Sequence, residues 1–119
     1  MKIWYKIVEK KNGKFYTLYH GNNGSRELKV GEWIGSVRKK VHDGTRGTPY
    51  WSGWHVIGTR SEARRYMKKF SKPRELHIIP CRARTTIHKR HCKYDVHLAK
   101  QLYIHEETLR DSQPEETLA

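Results

Sequence analysis

Trp51, Trp54, His55, Arg60, Arg64, Arg65, Lys68 and Lys69 crowd into one short stretch of the chain. Guanidinium and ammonium groups neutralise phosphates and aromatic faces stack on bases, so this mixture suits an anionic ligand, above all a nucleic acid or a nucleotide. Arg60, Arg64, Arg65, Lys68 and Lys69 would supply the cations. Trp51 and Trp54 flank a glycine-containing loop and would supply exposed rings, with His55 between ring and cation. If the chain catalyses a reaction, its chemistry leans on cations and histidines, and the candidates are His20, His55 and Tyr66; these residue types fix no particular reaction.

Other chemistries fit less well. Residues 1–104 carry only seven acids, and Glu62 has a structural use as a helix cap, so neither a nucleophilic triad nor paired-carboxylate hydrolysis is indicated. Six soft ligands, His77, Cys81, His88, His91, Cys92 and His97, occupy the C-terminal third. Zinc needs four ligands converging at about 2.0–2.3 Å. On one extended strand residues 77 and 81 would stand about 13 Å apart. His88, His91 and Cys92 match no familiar zinc spacing, so no metal site is expected, and no cofactor is required unless NAD is bound.

The elements that must hold these residues follow from periodicity. Ile3, Tyr5 and Ile7 alternate with Trp4, Lys6 and Val8 as a strand should, and Asn12-Gly13 is a hairpin turn leading to a partner strand over residues 15–20. Residues 21–25 form a loop by composition; Leu28, Val30 and Trp33 mark a short apolar element of unassigned type, and residues 42–52 a surface loop. Thr59 precedes Glu62 by three residues, the spacing of a capping box, and Ala63, Tyr66, Met67 and Phe70 then form one apolar stripe, so a helix is expected over about 60–70, ended by Pro73. Residues 75–85 read as a strand, its Pro80 implying an edge or a bulge. Residues 88–94 form a basic connection to a last strand on which Val96, Leu98, Leu102 and Ile104 share a face. The expected fold is α+β, a small, mostly antiparallel sheet packed by one main amphipathic helix.

Charge sets the class of partner. The 119 residues carry a formal charge of +13, and the distribution is uneven: residues 1–104 hold 24 Lys and Arg, while residues 105–119 hold five acids and one base. The expected organisation is a single basic domain over 1–104 and an acidic, disordered tail over 105–119, a segment too poor in apolar residues to offset its ordering entropy. Such a body attracts nucleic acid, nucleotides or an acidic protein. Residues 1–6 lack the apolar run of a secretory signal and no stretch is long enough to span a membrane, so no membrane association and a cytoplasmic location are expected.

Two resemblances extend this reading. Leu18-Tyr19-His20-Gly21, then Ser52-Gly53-Trp54-His55-Val56 and Ser61-Glu62-Ala63-Arg64-Arg65-Tyr66, are similar in order to motifs of the ADP-ribosyltransferase fold. That resemblance, over about residues 15–80, implies an NAD pocket in which His20 holds the adenosine ribose and Tyr66 stacks near the nicotinamide. The family's catalytic glutamate has no counterpart in Lys100-Gln101-Leu102-Tyr103 on the closing strand. A Gly-Trp-His strand leading into a helix with Ala and Tyr also resembles small bacteriophage proteins of unassigned activity, over about residues 2–104. This implies an accessory role in the host cytoplasm. The expected function is thus an anion-binding accessory protein, with a divergent ADP-ribosyl or phosphoryl transferase, or an inhibitor of an acidic host protein, as alternatives.

Overall fold

The computed structural model describes residues 2–18, 26–36, 40–41, 50–51, 53–70, 75–89 and 92–115. Strand β1 (Trp4–Lys11) turns through Asn12 and Gly13 into β2 (Lys14–Tyr16), and both turn residues have positive φ, 52° and 72°, as a two-residue hairpin turn requires. Short strands β3 (Glu27–Leu28) and β4 (Trp33–Gly35) follow, then β5 (Lys40–Val41), β6 (Tyr50–Trp51) and β7 (Trp54–Ile57). Helix α1 (Arg60–Met67) leads to the long β8 (Leu76–His88), β9 (Val96–Tyr103) and a one-turn helix α2 (Glu106–Asp111). This is a small α+β fold, a mostly antiparallel sheet with two short helices.

All the pairings among the described residues are antiparallel, and four of them close a circuit. Strand β1 pairs with β8 from Trp4↔Cys81 to Glu9↔Leu76, β8 with β9, β9 with β7, and β7 returns to β1 through the single pair Tyr5↔Ile57. Strand β8 changes partner just after Pro80, pairing with β1 up to Cys81 and with β9 from Arg82. A residue that cannot donate to a ladder thus lies beside the exchange. The irregularity of β8 falls at Thr85 instead, whose φ of 55° is strained for a β-branched residue.

Alternation along β1 sorts its side chains onto two cores. Trp4 and Val8 join Phe15, Leu28, Trp54, Val56, Ile79, Cys81, Ala99, Leu102 and Ile104. Ile7 faces the other way, with Leu18, Ile57, Leu76, Ile78 and Val96, onto Ala63, Tyr66 and Met67 of α1. Val96, expected to share a face with Leu102 and Ile104, belongs to this second core, because β9 passes from one core to the other along its length.

Several boundaries differ from expectation. The helix ends at Met67, where Lys69 and Phe70 tighten into bonds to Tyr66 and Met67, although Phe70 still packs on the second core. Thr59 caps it as expected, its hydroxyl accepting from Glu62 N at 3.2 Å, while the Glu62 carboxylate accepts from Arg65 at 2.7 Å. β8 runs three residues past the expected end, and residues 50–51 of the expected loop are strand. Residues 19–25, 42–49 and Pro73 lie outside the described part.

Residues 105–115 differ most from the expected disordered tail. Leu109 packs on the first core and its carbonyl accepts from Lys10 Nζ at 3.0 Å; Glu115 N donates to Leu76 O at 2.8 Å. His77, only 1% exposed, meets Ser112 Oγ through Nδ1 at 2.9 Å and Glu75 Oε2 through Nε2 at 3.2 Å. Composition underrates such a segment, since a few directed bonds to a preformed surface hold it without an apolar face of its own. No helix among the described residues is long and apolar enough to cross a membrane.

Candidate anion-binding surface

Helix α1 presents its apolar residues Ala63, Tyr66 and Met67 to the sheet, which leaves Arg60, Arg64, Arg65, Lys68 and Lys69 on its outer side. These five cations have different surroundings. Along one flank of the helix, Glu115 reaches across from the C-terminal segment, with Oε1 at 3.1 Å from Arg60 Nη1 in the first turn and Oε2 at 3.6 Å from Arg64 Nε one turn later. Arg60 also donates to Ile78 O at 3.2 Å and lies over the Tyr5 ring. Its guanidinium is already engaged.

At the other end, three cations gather over one ring. Arg65 Cζ, Lys69 Nζ and Lys93 Nζ lie 5.4, 5.5 and 5.4 Å from the centroid of Tyr94, which stands in the turn before β9. Tyr94 meets Tyr66 edge-on at 5.2 Å, so the buried face of the helix also fixes the ring around which its charged face converges. Glu62 pairs with Arg65; among the described residues no ion pair involves Lys68, Lys69 or Lys93. Three groups so close to one centroid can be no more than about 11 Å apart, and at low salt each pair repels by about 0.4 kcal/mol or more even at the dielectric of water. A cation over an exposed ring regains about 0.5–1 kcal/mol. The cluster is therefore held near balance, and an anion placed among the three relieves the repulsion.

The other expected site residues are placed less favourably for contact with a ligand. Trp54 is 4% exposed, with its indole donating to Ile34 O at 3.1 Å and Arg26 Cζ 4.6 Å from its ring centroid. A ring so enclosed cannot stack on a base. Tyr66 is likewise buried, between Phe70 and Tyr94. His55 is half-buried, with Nε2 3.4 Å from Lys89 Nζ; burial first, then Lys6 and Lys89, holds its pKa well below the usual histidine range, so it stays neutral at physiological pH. Trp51 lies in β6, its side chain outside the described part, as is the whole of His20.

Sequence reasoning missed Lys93 and Tyr94, which lay in a segment read only as a basic connection. It also missed a second aromatic and cationic grouping. Arg84 Cζ lies 3.8 Å from the Trp33 ring centroid, and Trp33 packs on Tyr103 at 5.5 Å. Beside them is a shallow cleft of roughly 300 Å³ lined by Ile3, Trp33, Pro80, Arg82, Tyr103 and His105. The signal available was the register Arg82↔Tyr103↔Trp33, which only the paired strands reveal.

The Ser112, His77 and Glu75 line has the residue types of a nucleophilic relay, yet its imidazole is shut away from solvent with both nitrogens occupied. A general base must reach the proton it takes from a bound substrate; this one acts as a clasp for the C-terminal segment. Among the described residues one trio of potential metal ligands converges, His88, Asp95 and His97.

No family model, no curated protein and no solved structure matches the chain.

Proposed function

We propose that this protein binds a polyanion, most simply a nucleic acid, through the far end of the α1 ridge and the turn that carries Tyr94. The observation that carries this reading is the convergence of Arg65, Lys69 and Lys93 over the half-buried Tyr94 ring. Arg65 leaves from the last turn of α1 and Lys69 from the tightened turn just after it, so they meet adjacent anionic groups of a polyanion. Lys68 extends the row, and the net charge of +13 draws a polyanion to the whole surface. Tyr94 gives the backbone contacts an aromatic neighbour on which a base can stack. The reading is of a binding protein, because His55, the described histidine among the catalytic candidates, is neutral and already partnered.

The test is fluorescence anisotropy of a labelled single-stranded oligonucleotide across a salt series. Binding weakens steeply with salt, and Lys69→Glu with Lys93→Glu lowers the slope of log affinity against log salt by about 0.7 for each phosphate that is no longer neutralised. Binding that ignores salt, or a slope that the double substitution leaves unchanged, overturns the reading.

A further inference from the structure

The turn that joins β8 to β9 brings together three groups that the polyanion reading does not use. His88 ends β8 directly opposite His97 on β9, and their rings meet edge-on with centroids 5.1 Å apart. Asp95 precedes β9, and a tight bond from Val96 N to Tyr94 O, at 2.8 Å, turns the chain so that its Oδ1 lies 2.8 Å from His97 Nε2. One ligand atom from each of the three residues falls within 4.8 Å of the others.

The surroundings hold two of the three in place. Trp4 packs edge-on against His97 at 4.7 Å between centroids, and His97 is mostly covered. The Asp95 carboxylate occupies the space beside Gly58 that a β-carbon there would fill, so the glycine keeps a notch open for it. Gly58 N is also bonded to Asp95 O. His88 is exposed and turns without disturbing a core.

We propose that His88, Asp95 and His97 bind a divalent first-row transition metal ion, zinc in the first instance. Two imidazoles and one carboxylate form a donor set suited to zinc at about 2.0–2.2 Å, where neighbouring ligand atoms of a tetrahedral ion stand about 3.4 Å apart. The Asp95 to His97 contact needs to open by only about 0.6 Å, and His88 closes the remainder by side-chain rotation. The ion takes over the hydrogen bond it displaces, so neither partner is left unsatisfied. Three protein ligands leave a fourth position for solvent or an anion.

Calorimetric titration of the metal-free full-length protein with zinc tests this. One equivalent is taken up per chain, zinc raises the thermal midpoint, and the imidazole resonances of His88 and His97 shift together. His88→Gln and Asp95→Asn each lower zinc affinity at least about tenfold, and His88→Gln shrinks the thermal shift while leaving the metal-free midpoint unchanged. Gly58→Ala weakens zinc without removing any ligand, by displacing the carboxylate. Cys92→Ser leaves binding intact. Absence of one-equivalent uptake, or uptake that survives His88→Gln and Asp95→Asn unchanged, overturns the proposal.

Discussion

The two ends of the basic face of α1 have the same residue types and different electrostatics. Arg60 in the first turn and Arg64 one turn further share the carboxylate of Glu115; Arg65 in the last turn and Lys69 just past it gather with Lys93 around Tyr94. A run of cations read from a helix is therefore not one surface. What distinguishes the ends is which distant segment packs beside each: an acidic C-terminal stretch at one, a Lys-Tyr turn at the other. The proposed polyanion site lies where the fold brings Lys93 to the ridge beside Lys69, neither in an ion pair among the described residues, with Arg65 held by Glu62.

The largest effect comes from the support common to both ends. Tyr66 is 3% exposed and joins Phe70, Tyr94 and the second core. Tyr66→Ala removes about 3–5 kcal/mol of stability, to be read from urea unfolding. It should loosen the Tyr94 cluster while leaving the Glu115 pairs nearer to normal, so oligonucleotide affinity of the folded variant, measured without urea, falls as well. Unchanged affinity in the folded variant would break the link between the ring and the site.

How much of this was legible in the sequence depends on the range of the interaction. The Asn12-Gly13 turn, the alternation along β1 and the Thr59 cap were legible because each depends on neighbours within four residues. The apolar stripe of α1 was legible for the same reason. Trp54 was misplaced because a tryptophan beside glycine suits a core as well as a surface, and only the pairing of β7 with β9 buries it. The grip of Glu115 on Arg60 spans 55 residues, and nothing local announces it. Tyr94 became a centre only when α1 and the turn before β9 met; the circuit of strands likewise closes through Tyr5 and Ile57, far apart in the chain.

A buried cation sharpens the comparison by separating charge that counts for binding from charge that does not. Lys6 is 5% exposed in the first core, donates to His55 O at 2.8 Å, and burial lowers its pKa from 10.5 to about 8, an effect the nearby Cys81 partly opposes. Its unfolded form keeps a proton up to 10.5 while its folded form releases it near 8, so its contribution makes stability rise with pH across that window. Burial pushes Cys81 from 9.0 up to about 12, so the unfolded thiol ionises first and stability falls with pH above 9. The two contributions oppose each other from pH 9 to 10.5, and the net rise is confined to pH 8–9. Lys6→Met should abolish that rise and stabilise the protein at pH 7 by about 1–2 kcal/mol, the relief of desolvation being offset in part by the lost bond to His55. The salt slope of oligonucleotide binding should not move.

A smaller effect separates the two ends through the helix itself. Thr59→Ala removes the cap at the first turn and costs about 0.5–2 kcal/mol, measured as a lower thermal midpoint. That turn carries Arg60, and fraying it reaches Arg64 before it reaches Lys69. Binding should therefore change less in Thr59→Ala than in Lys69→Glu. An equal loss would mean that the start of the ridge contributes after all.

The smallest stability effect carries the sharpest test of the comparison. Glu115 is mostly covered, but Arg60 and Arg64 are partly open to solvent, and Arg64 makes the longer contact. Pairs of this kind contribute about 1 kcal/mol or less, so Glu115→Gln should lower the thermal midpoint only slightly. Its amide still accepts from Arg60 but no longer cancels either charge. If the contrast between the ends is electrostatic, the substitution makes the start resemble the end: affinity for an oligonucleotide rises at low salt, and the salt slope steepens by about 0.7–0.9 for each arginine that gains a phosphate. Adding Arg60→Gln and Arg64→Gln should return the slope to that of the parent. A slope that stays at the parent value in Glu115→Gln would show that the C-terminal segment covers the start of the ridge by its bulk and not by its charge. In that case Ser112→Ala, which releases the clasp to His77, should increase binding where Glu115→Gln did not.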